Sequence, residues 1–228
     1  MPLKPPILFI NFKTYEQATG KKAVELAKKA EGVAAKEGAT IALVVQAADL
    51  RLVSTSVNLP VFAQHIDPVK FGKGTGHILP EAAKQAGAVG TVLNHAENKR
   101  SNEFIQAGIA RAKSLNLTVM VCAESIARAK EIAGFEQKPD FIAIEPPELI
   151  GGDISVSTAN PELISGGARA IKEIAPKVAV ITGAGIKNRA DVAKALELGT
   201  VGIFVASGIV KSPNQAAAIG DLVQGFKA

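Results

Sequence analysis

The sequence predicts an α/β fold, a single (β/α)8 barrel in which eight parallel strands are ringed by helices. Three observations predict it. Eight strand-like and eight helix-like segments alternate without a break along 228 residues, a length suited to one such barrel. The strand-like segments are continuous apolar runs, which indicates burial on both faces and hence a parallel sheet. The turn after the first strand, Asn11-Phe12-Lys13-Thr14, carries no glycine, which disfavours the competing doubly wound open sheet and its glycine-rich first turn. No linker or low-complexity stretch divides residues 1–228, so one domain is expected.

The elements follow in order. Ile7 to Ile10 is an apolar strand, and Ala18 to Lys36 has Ala23, Leu26, Ala27 and Ala30 at helical spacing. Thr40 to Val45 is the second strand, followed by a short helix from Ala48 to Ser56. Pro60 to Gln64 is the third, and then His65 to Leu79 forms a long loop with Gly72, Gly74 and Gly76. Loops of that length in a compact fold are usually functional or interfacial. Pro80 opens a helix at its first position, where a missing N–H costs nothing. Val89 to Leu93, Leu117 to Val121 and Phe141 to Ile144 are strands four to six, with helices over Asn102 to Leu115 and Ser125 to Ala133 between them. Asn160 caps a helix beginning at Pro161. Val178 to Ile181 and Val201 to Val205 complete the strands, with helices at Asn188 to Leu198 and Asn214 to Gln224.

Hydrophobic residues make up 47% of the chain while aromatics supply only 4%, so the core is built from Ala, Val, Ile and Leu. Cys122 is the only cysteine; it allows no intrachain disulfide and fits a reducing compartment. The apolar run Ile7-Leu8-Phe9-Ile10 is too short for a signal core or a membrane span, and a cytoplasmic protein is expected. The net charge of +5 and pI of 9.3 would suit nucleic acid, an anionic surface or a small anionic substrate. The lysines are dispersed at helical spacings, as at Lys21, Lys22, Lys28, Lys29 and Lys36, with no basic–aromatic interleaving. That pattern indicates solvated helix faces, no nucleic acid and no membrane partner.

A barrel gathers its strand C-termini on one face, where active sites are built. Strand one brings Asn11 and Lys13 there, strand four Asn94, His95 and Glu97, and strand six Glu145. Strands seven and eight end in Gly183-Ala184-Gly185 and Ala206-Ser207-Gly208, small-residue turns whose backbone amides can approach a phosphate. Glu145 is followed by Pro146 and Pro147, by Leu149 and Ile150, and then by Gly151 and Gly152. A carboxylate on a rigid strand end before a stiff-started, loose-ended segment suits a base beneath a lid; an ordinary strand-to-loop turn would read the same way. His95, placed before what reads as a helical turn, is expected to be neutral, and Glu97 is a candidate partner for Lys13. Cys122 has only apolar neighbours in sequence, so packing is expected of it and not nucleophilic attack. His65 and His77 do not stand at metal-ligand spacing with Asp or Cys, and no metal site is expected.

Five segments together resemble the triose-phosphate isomerase family in its short archaeal form. They are Asn11-Phe12-Lys13, Asn94-His95-Ala96-Glu97-Asn98, Ala143 to Gly151, Thr182-Gly183-Ala184-Gly185-Ile186 and Leu198-Gly199-Thr200-Val201-Gly202. The resemblance spans nearly the whole chain, in the right order. It implies interconversion of dihydroxyacetone phosphate and glyceraldehyde 3-phosphate with no cofactor. It implies that Glu145 is the base, His95 the neutral electrophile, Lys13 the stabilising cation and Asn11 its support. Gly151, Gly183, Ala184, Gly185, Ala206, Ser207 and Gly208 would grip the phosphate. A homodimer or homotetramer is implied, with the loop His65 to Leu79 at the subunit interface.

Three positions depart from the family pattern. Ala96 stands where serine is usual, which leaves the resting position of Glu145 open. Gly152-Asp153 replaces a Thr-Gly hinge, and Val45-Gln46-Ala47 lacks the family's Ala-Pro. Three other classes compete with the isomerase. A phosphosugar epimerase would want a metal site or paired acids at strand ends. A non-catalytic phosphate-binding barrel would bind triose phosphates without turnover. A nucleic-acid binder would show a steep salt dependence.

Overall fold

The structure, a computed structural model, describes residues 3–146 and 161–227. The eight parallel strands close into a barrel in sequence order. They are β1 (Ile7–Asn11), β2 (Thr40–Val45), β3 (Val61–Ala63), β4 (Gly90–Leu93), β5 (Thr118–Ala123), β6 (Phe141–Ile144), β7 (Ala179–Thr182) and β8 (Gly202–Val205). The barrel closes where β1 pairs β8 from Ile7↔Gly202 to Ile10↔Val205. Gly202 is required at that seam: a Cβ on it would lie 2.3 Å from the Ile7 carbonyl oxygen.

The helices outside the barrel are α1 (Lys21–Glu37), α2 (Leu50–Ser54), α3 (Pro80–Gln85), α4 (Asn102–Ser114), α5 (Ile126–Ala133), α6 (Pro161–Ile174), α7 (Arg189–Glu197), α8 (Ser207–Val210) and α9 (Gln215–Gln224). Most bounds fall within two residues of expectation. α1 starts three residues later than its apolar spacing suggested, because Glu16–Ala18 forms a separate 3-10 turn and Gly20, at φ 59°, turns the chain into the helix. α8 was not anticipated; it is a single turn directly after β8. Side-chain caps fix several starts. Ser101 accepts from the Phe104 N–H at α4, Ser125 from Arg128 at α5, and Asn188 from Ala190 and Asp191 at α7. The expected cap Asn160 lies outside the described residues.

The apolar runs serve two cores at once, because successive strand residues face opposite sides. Ile7, Phe9, Ala42, Val44, Phe62, Val92, Met120, Cys122, Phe141, Ala143, Ile181 and Phe204 fill the barrel interior. Leu8, Ile10, Ile41, Leu43, Val119, Val121, Ile142 and Ile144 face the helices. Phe9 anchors the interior by meeting Phe62 and Phe141 edge-on, each with centroids 5.5 Å away. The loop after β2, one of the three departures, is tied to the start of α1: Gln46 donates to Thr19 Oγ1 at 3.1 Å, and Asp49 accepts from the Gly20 N–H at 3.1 Å. No described helix is long and apolar enough to cross a membrane.

Candidate active site

The interior register of the strands selects what reaches the barrel mouth. Ile7 and Phe9 face inward, so Asn11 is next; Phe141 and Ala143 face inward, so Glu145 is next; Ile181 faces inward, so Gly183 follows. Asn11 and Glu145 are accordingly buried polar residues, 6% and 3% exposed. His95 reaches the mouth by another route. The inward position after Val92 is Asn94, which is buried and adopts the left-handed conformation at φ 58°. Asn94 donates to the Cys122 carbonyl at 2.8 Å and accepts from the Arg100 N–H at 2.8 Å. These bonds hold the turn that re-aims the next residue into the cavity.

Lys13 is also left-handed, at φ 46°, a conformation uncommon for a non-glycine residue. Its N–H donates to Asn11 Oδ1 at 3.0 Å, and its carbonyl accepts from Gln64 Nε2 at 2.9 Å. Two side chains thus secure the backbone that carries the ammonium over the mouth. The ammonium pairs with Glu97 Oε1 at 2.8 Å, the partner expected from the sequence.

His95 is half-buried and its imidazole is neutral, with a pKa lowered from 6.5 to about 4, first by loss of solvent and then by the Lys13 charge. The expected helical turn is not the cause. α4 begins only at Asn102, and His95 is followed by an isolated turn closed by Asn98 N–H donating to the His95 carbonyl at 2.7 Å. The Glu97 N–H donates to His95 Nδ1 at 3.2 Å. With Nδ1 accepting, the neutral ring carries its proton on Nε2, the nitrogen that faces Glu145 Oε1 at 3.5 Å. Phe204 supports the ring edge-on at 6.1 Å.

Burial raises the Glu145 pKa from 4.5 to about 7, against the pull of the Cys122 thiol, the Ala96 N–H and the Lys13 charge, which favour the ionised form. The thiol and the amide act as weak donors, and among the described residues Oε2 has no hydrogen-bond partner. A carboxyl poised near neutrality, beside an imidazole that stays neutral and can donate, is equipped to take a proton from carbon while Nε2–H polarises an adjacent oxygen.

These groups line a cavity of about 300 Å³ together with Gly183, Ala184, Gly185, Ala206, Ser207 and Gly208. Gly185 turns the loop at φ 74°. Gly183 donates its N–H to the Ile144 carbonyl at 2.8 Å, so what it offers the cavity is the absence of a side chain. Tyr15 and Lys187 also line this space and were not singled out from the sequence. Lys187 stands two residues after the glycine-rich turn, which was the available signal. A second cavity of about 280 Å³ shares Asn11, Lys13 and His95 and extends toward Gln64 and His65. Gly151, Gly152 and Asp153 lie outside the described residues, as does the expected lid from Pro147 onward.

At two other places the fold supplies partners that chain neighbours do not show. His65 and His77 do meet an aspartate: their ring nitrogens lie 3.3 and 3.4 Å from Asp67 Oδ1. Asp67 Oδ2 accepts the Ile78 N–H at 2.7 Å, and the Asp67 N–H returns a bond to the Ile78 carbonyl at 2.9 Å. This cluster therefore closes the neck of the long loop. Cys122 is not surrounded by apolar groups alone, since Glu145 lies against it; burial and that carboxylate push the thiol pKa well up, and it is no nucleophile.

Residues 6–223 match the family model described as triosephosphate isomerase. Among curated relatives named triosephosphate isomerase, the chain is 46% identical to that of Methanocaldococcus jannaschii over 218 residues, covering 96% of this chain and 99% of the relative. It is 43% identical to that of Methanothermus fervidus, covering 96% and 97%. With that of Methanosarcina acetivorans it shares 42% over 219 residues, covering 96% and 98%.

Proposed function

Because the chain belongs to the triosephosphate isomerase family, we propose that its catalysis rests on Glu145, His95, Lys13 and Asn11. The enzyme is an aldose–ketose isomerase that interconverts dihydroxyacetone phosphate and D-glyceraldehyde 3-phosphate, a step of glycolysis and gluconeogenesis. Glu145 takes a proton from the carbon beside the carbonyl, and the bonding pair moves to the oxygen, giving an enediolate. His95 Nε2–H supplies a proton to that oxygen and recovers one from the neighbouring hydroxyl. Glu145 then returns its proton to the other carbon. Lys13 opposes the negative charge of the enediolate and the phosphate, and Asn11 fixes Lys13 and offers its amide beside the imidazole. The observation that supports this assignment is the meeting of all four residues in one 300 Å³ cavity.

The phosphate is held by the turns Gly183 to Gly185 and Ala206 to Gly208, and Gly151 is a further candidate contact on the family resemblance. Gly183 and Ala206 contribute room, and backbone amides of the remaining residues bind the oxygens. No cofactor takes part. A homodimer or homotetramer in the cytoplasm fits this reading, with the loop from His65 to Leu79 contacting a neighbouring subunit. Its exposed tip, where Phe71 is 72% accessible, supports such a contact.

The test is a coupled assay of triose phosphate interconversion on the wild type and on Glu145→Gln. The amide keeps the shape and removes the base, so kcat/KM should fall by about 10²–10⁴-fold or more. Equal rates would remove Glu145 from the mechanism.

A further inference from the structure

The turns Gly183 to Gly185 and Ala206 to Gly208 offer a phosphate backbone amides and no net charge, whereas a phosphate monoester carries about −1.5 to −2 at neutral pH. Lys13, one cation of the cavity, already shares its charge with Glu97 at 2.8 Å. Among the described lining residues the other cation is Lys187. The fold fixes where it stands. Gly185 turns the chain at φ 74°, and Ile186 anchors the next position by its burial. The Lys187 N–H then donates to Asp191 Oδ2 at 2.9 Å, and Asp191 is itself 1% exposed. Asn188 follows as the cap of α7, accepting from the Ala190 and Asp191 N–H groups. The backbone at 187 is thus clamped beside the phosphate turns, while the residue stays exposed at the cavity. Tyr15, another lining residue, carries the Lys211 ammonium 4.7 Å from its ring centroid, which adds to the positive potential there.

From this arrangement we infer that Lys187 is a substrate-recognition residue, whose ammonium complements the charge of the phosphate held by the two turns. The inference rests on the assignment of those turns as the phosphate grip. The phosphate keeps its charge while the carbon chain reacts, so a cation set against it favours bound substrate and transition state alike. Such uniform binding lowers KM and leaves kcat nearly unchanged. Lys13 differs, because it also opposes charge that develops during the reaction. An exposed ammonium acts through water, so its effect is modest and salt weakens it. Arginine at 187 would keep the charge, and glutamine would keep a polar chain without it.

The experiment is steady-state kinetics with D-glyceraldehyde 3-phosphate, and inhibition by inorganic phosphate, at low and high salt. The proteins are the wild type, Lys187→Gln, Lys187→Arg and Lys28→Gln, with melting curves of each. Lys28 lies on the exposed side of α1 and controls for loss of one positive charge anywhere on the surface. At low salt Lys187→Gln should raise KM and the inhibition constant of inorganic phosphate by about 3-fold or more, with kcat within about 2-fold of the wild type. The difference should narrow at high salt. Lys187→Arg and Lys28→Gln should both stay close to the wild type. If Lys187→Gln leaves both constants unchanged, or if Lys28→Gln raises them as much, the inference is overturned. A fall in kcat with the inhibition constant unchanged overturns it as well. Should Lys187→Gln prove unstable in the melts, Lys187→Ala takes its place in the comparison. The wild type separates the two levels. Absence of competitive inhibition by inorganic phosphate there overturns the phosphate grip itself, whereas equal inhibition of wild type and Lys187→Gln overturns only the role of Lys187.

Discussion

His95 Nε2 lies 3.5 Å from Glu145 Oε1, and the two groups hold their protons in the reverse of the usual order. The carboxyl stays protonated up to about pH 7, whereas the imidazole is neutral down to about pH 4. Burial causes both shifts, because each group is moved toward its uncharged form. A neutral proton donor thereby stands beside a carboxylate whose basicity is close to ambient pH.

This inversion predicts opposite effects on stability. Between 4.5 and about 7 the folded chain holds the Glu145 proton more tightly than the unfolded chain. Its contribution is therefore complete below 4.5 and is lost as pH rises through about 7. For His95 the contribution is complete above 6.5 and is lost as pH falls through about 4. Glu145→Gln should be more stable than the wild type by roughly 1–3 kcal/mol at about pH 8, and nearly equal to it at about pH 4. His95→Gln should lose less stability than the wild type on acidification. Chemical denaturation across the pH range reads both; a Glu145→Gln variant less stable at alkaline pH would contradict the buried, raised carboxyl.

Lys13 and Glu97 share one ion pair but unequal surroundings, their side chains being 15% and 61% exposed. Removing the cation leaves Glu97 in water, so Lys13→Met should change stability by no more than about 1 kcal/mol. Activity should nevertheless fall by about 10²-fold or more, because a positive charge aimed at developing negative charge is lost. Melting curves and steady-state kinetics on the same preparation separate the two effects.

Asp67 joins the neck of the long loop through Ile78 and both loop histidines. Asp67→Ala should release the exposed segment that carries Lys70 and Lys73, and trypsin should cut there faster than in the wild type. The global cost should be about 1 kcal/mol, since the donor left unpaired is only half-buried. Unchanged cleavage would mean that the Arg111 contacts to Val69 and Glu81 alone hold the loop.

Gly202→Ala is expected to damage the fold and not the chemistry. The new methyl carbon would meet the Ile7 carbonyl oxygen at 2.3 Å and the Ile7 nitrogen at 3.0 Å. Both atoms belong to the backbone at the β1–β8 seam, where no side chain can move aside. A loss of about 1–3 kcal/mol or more is expected in urea titrations, with kcat of the folded fraction retained.

The sequence by itself determined the barrel, because a continuous apolar run between helical periods must be buried on both faces and only a parallel, helix-covered sheet provides that. It also determined which residues stand at strand ends, and so brought Asn11, Lys13, His95 and Glu145 together as candidates. Only the tertiary structure decided the environments. The neutrality of His95 was expected from a helix terminus, but it comes from loss of solvent and the Lys13 charge. Gly183 was expected to serve the phosphate, yet its N–H is taken by Ile144 and its bare Cα makes room for Glu145. Cys122 looked like packing because its chain neighbours are apolar, while the residue it touches lies one strand away. Spacing along a chain shows which side of a strand a residue faces. Desolvation and hydrogen-bond partners depend on neighbouring strands, and those contacts exist only once the barrel has closed.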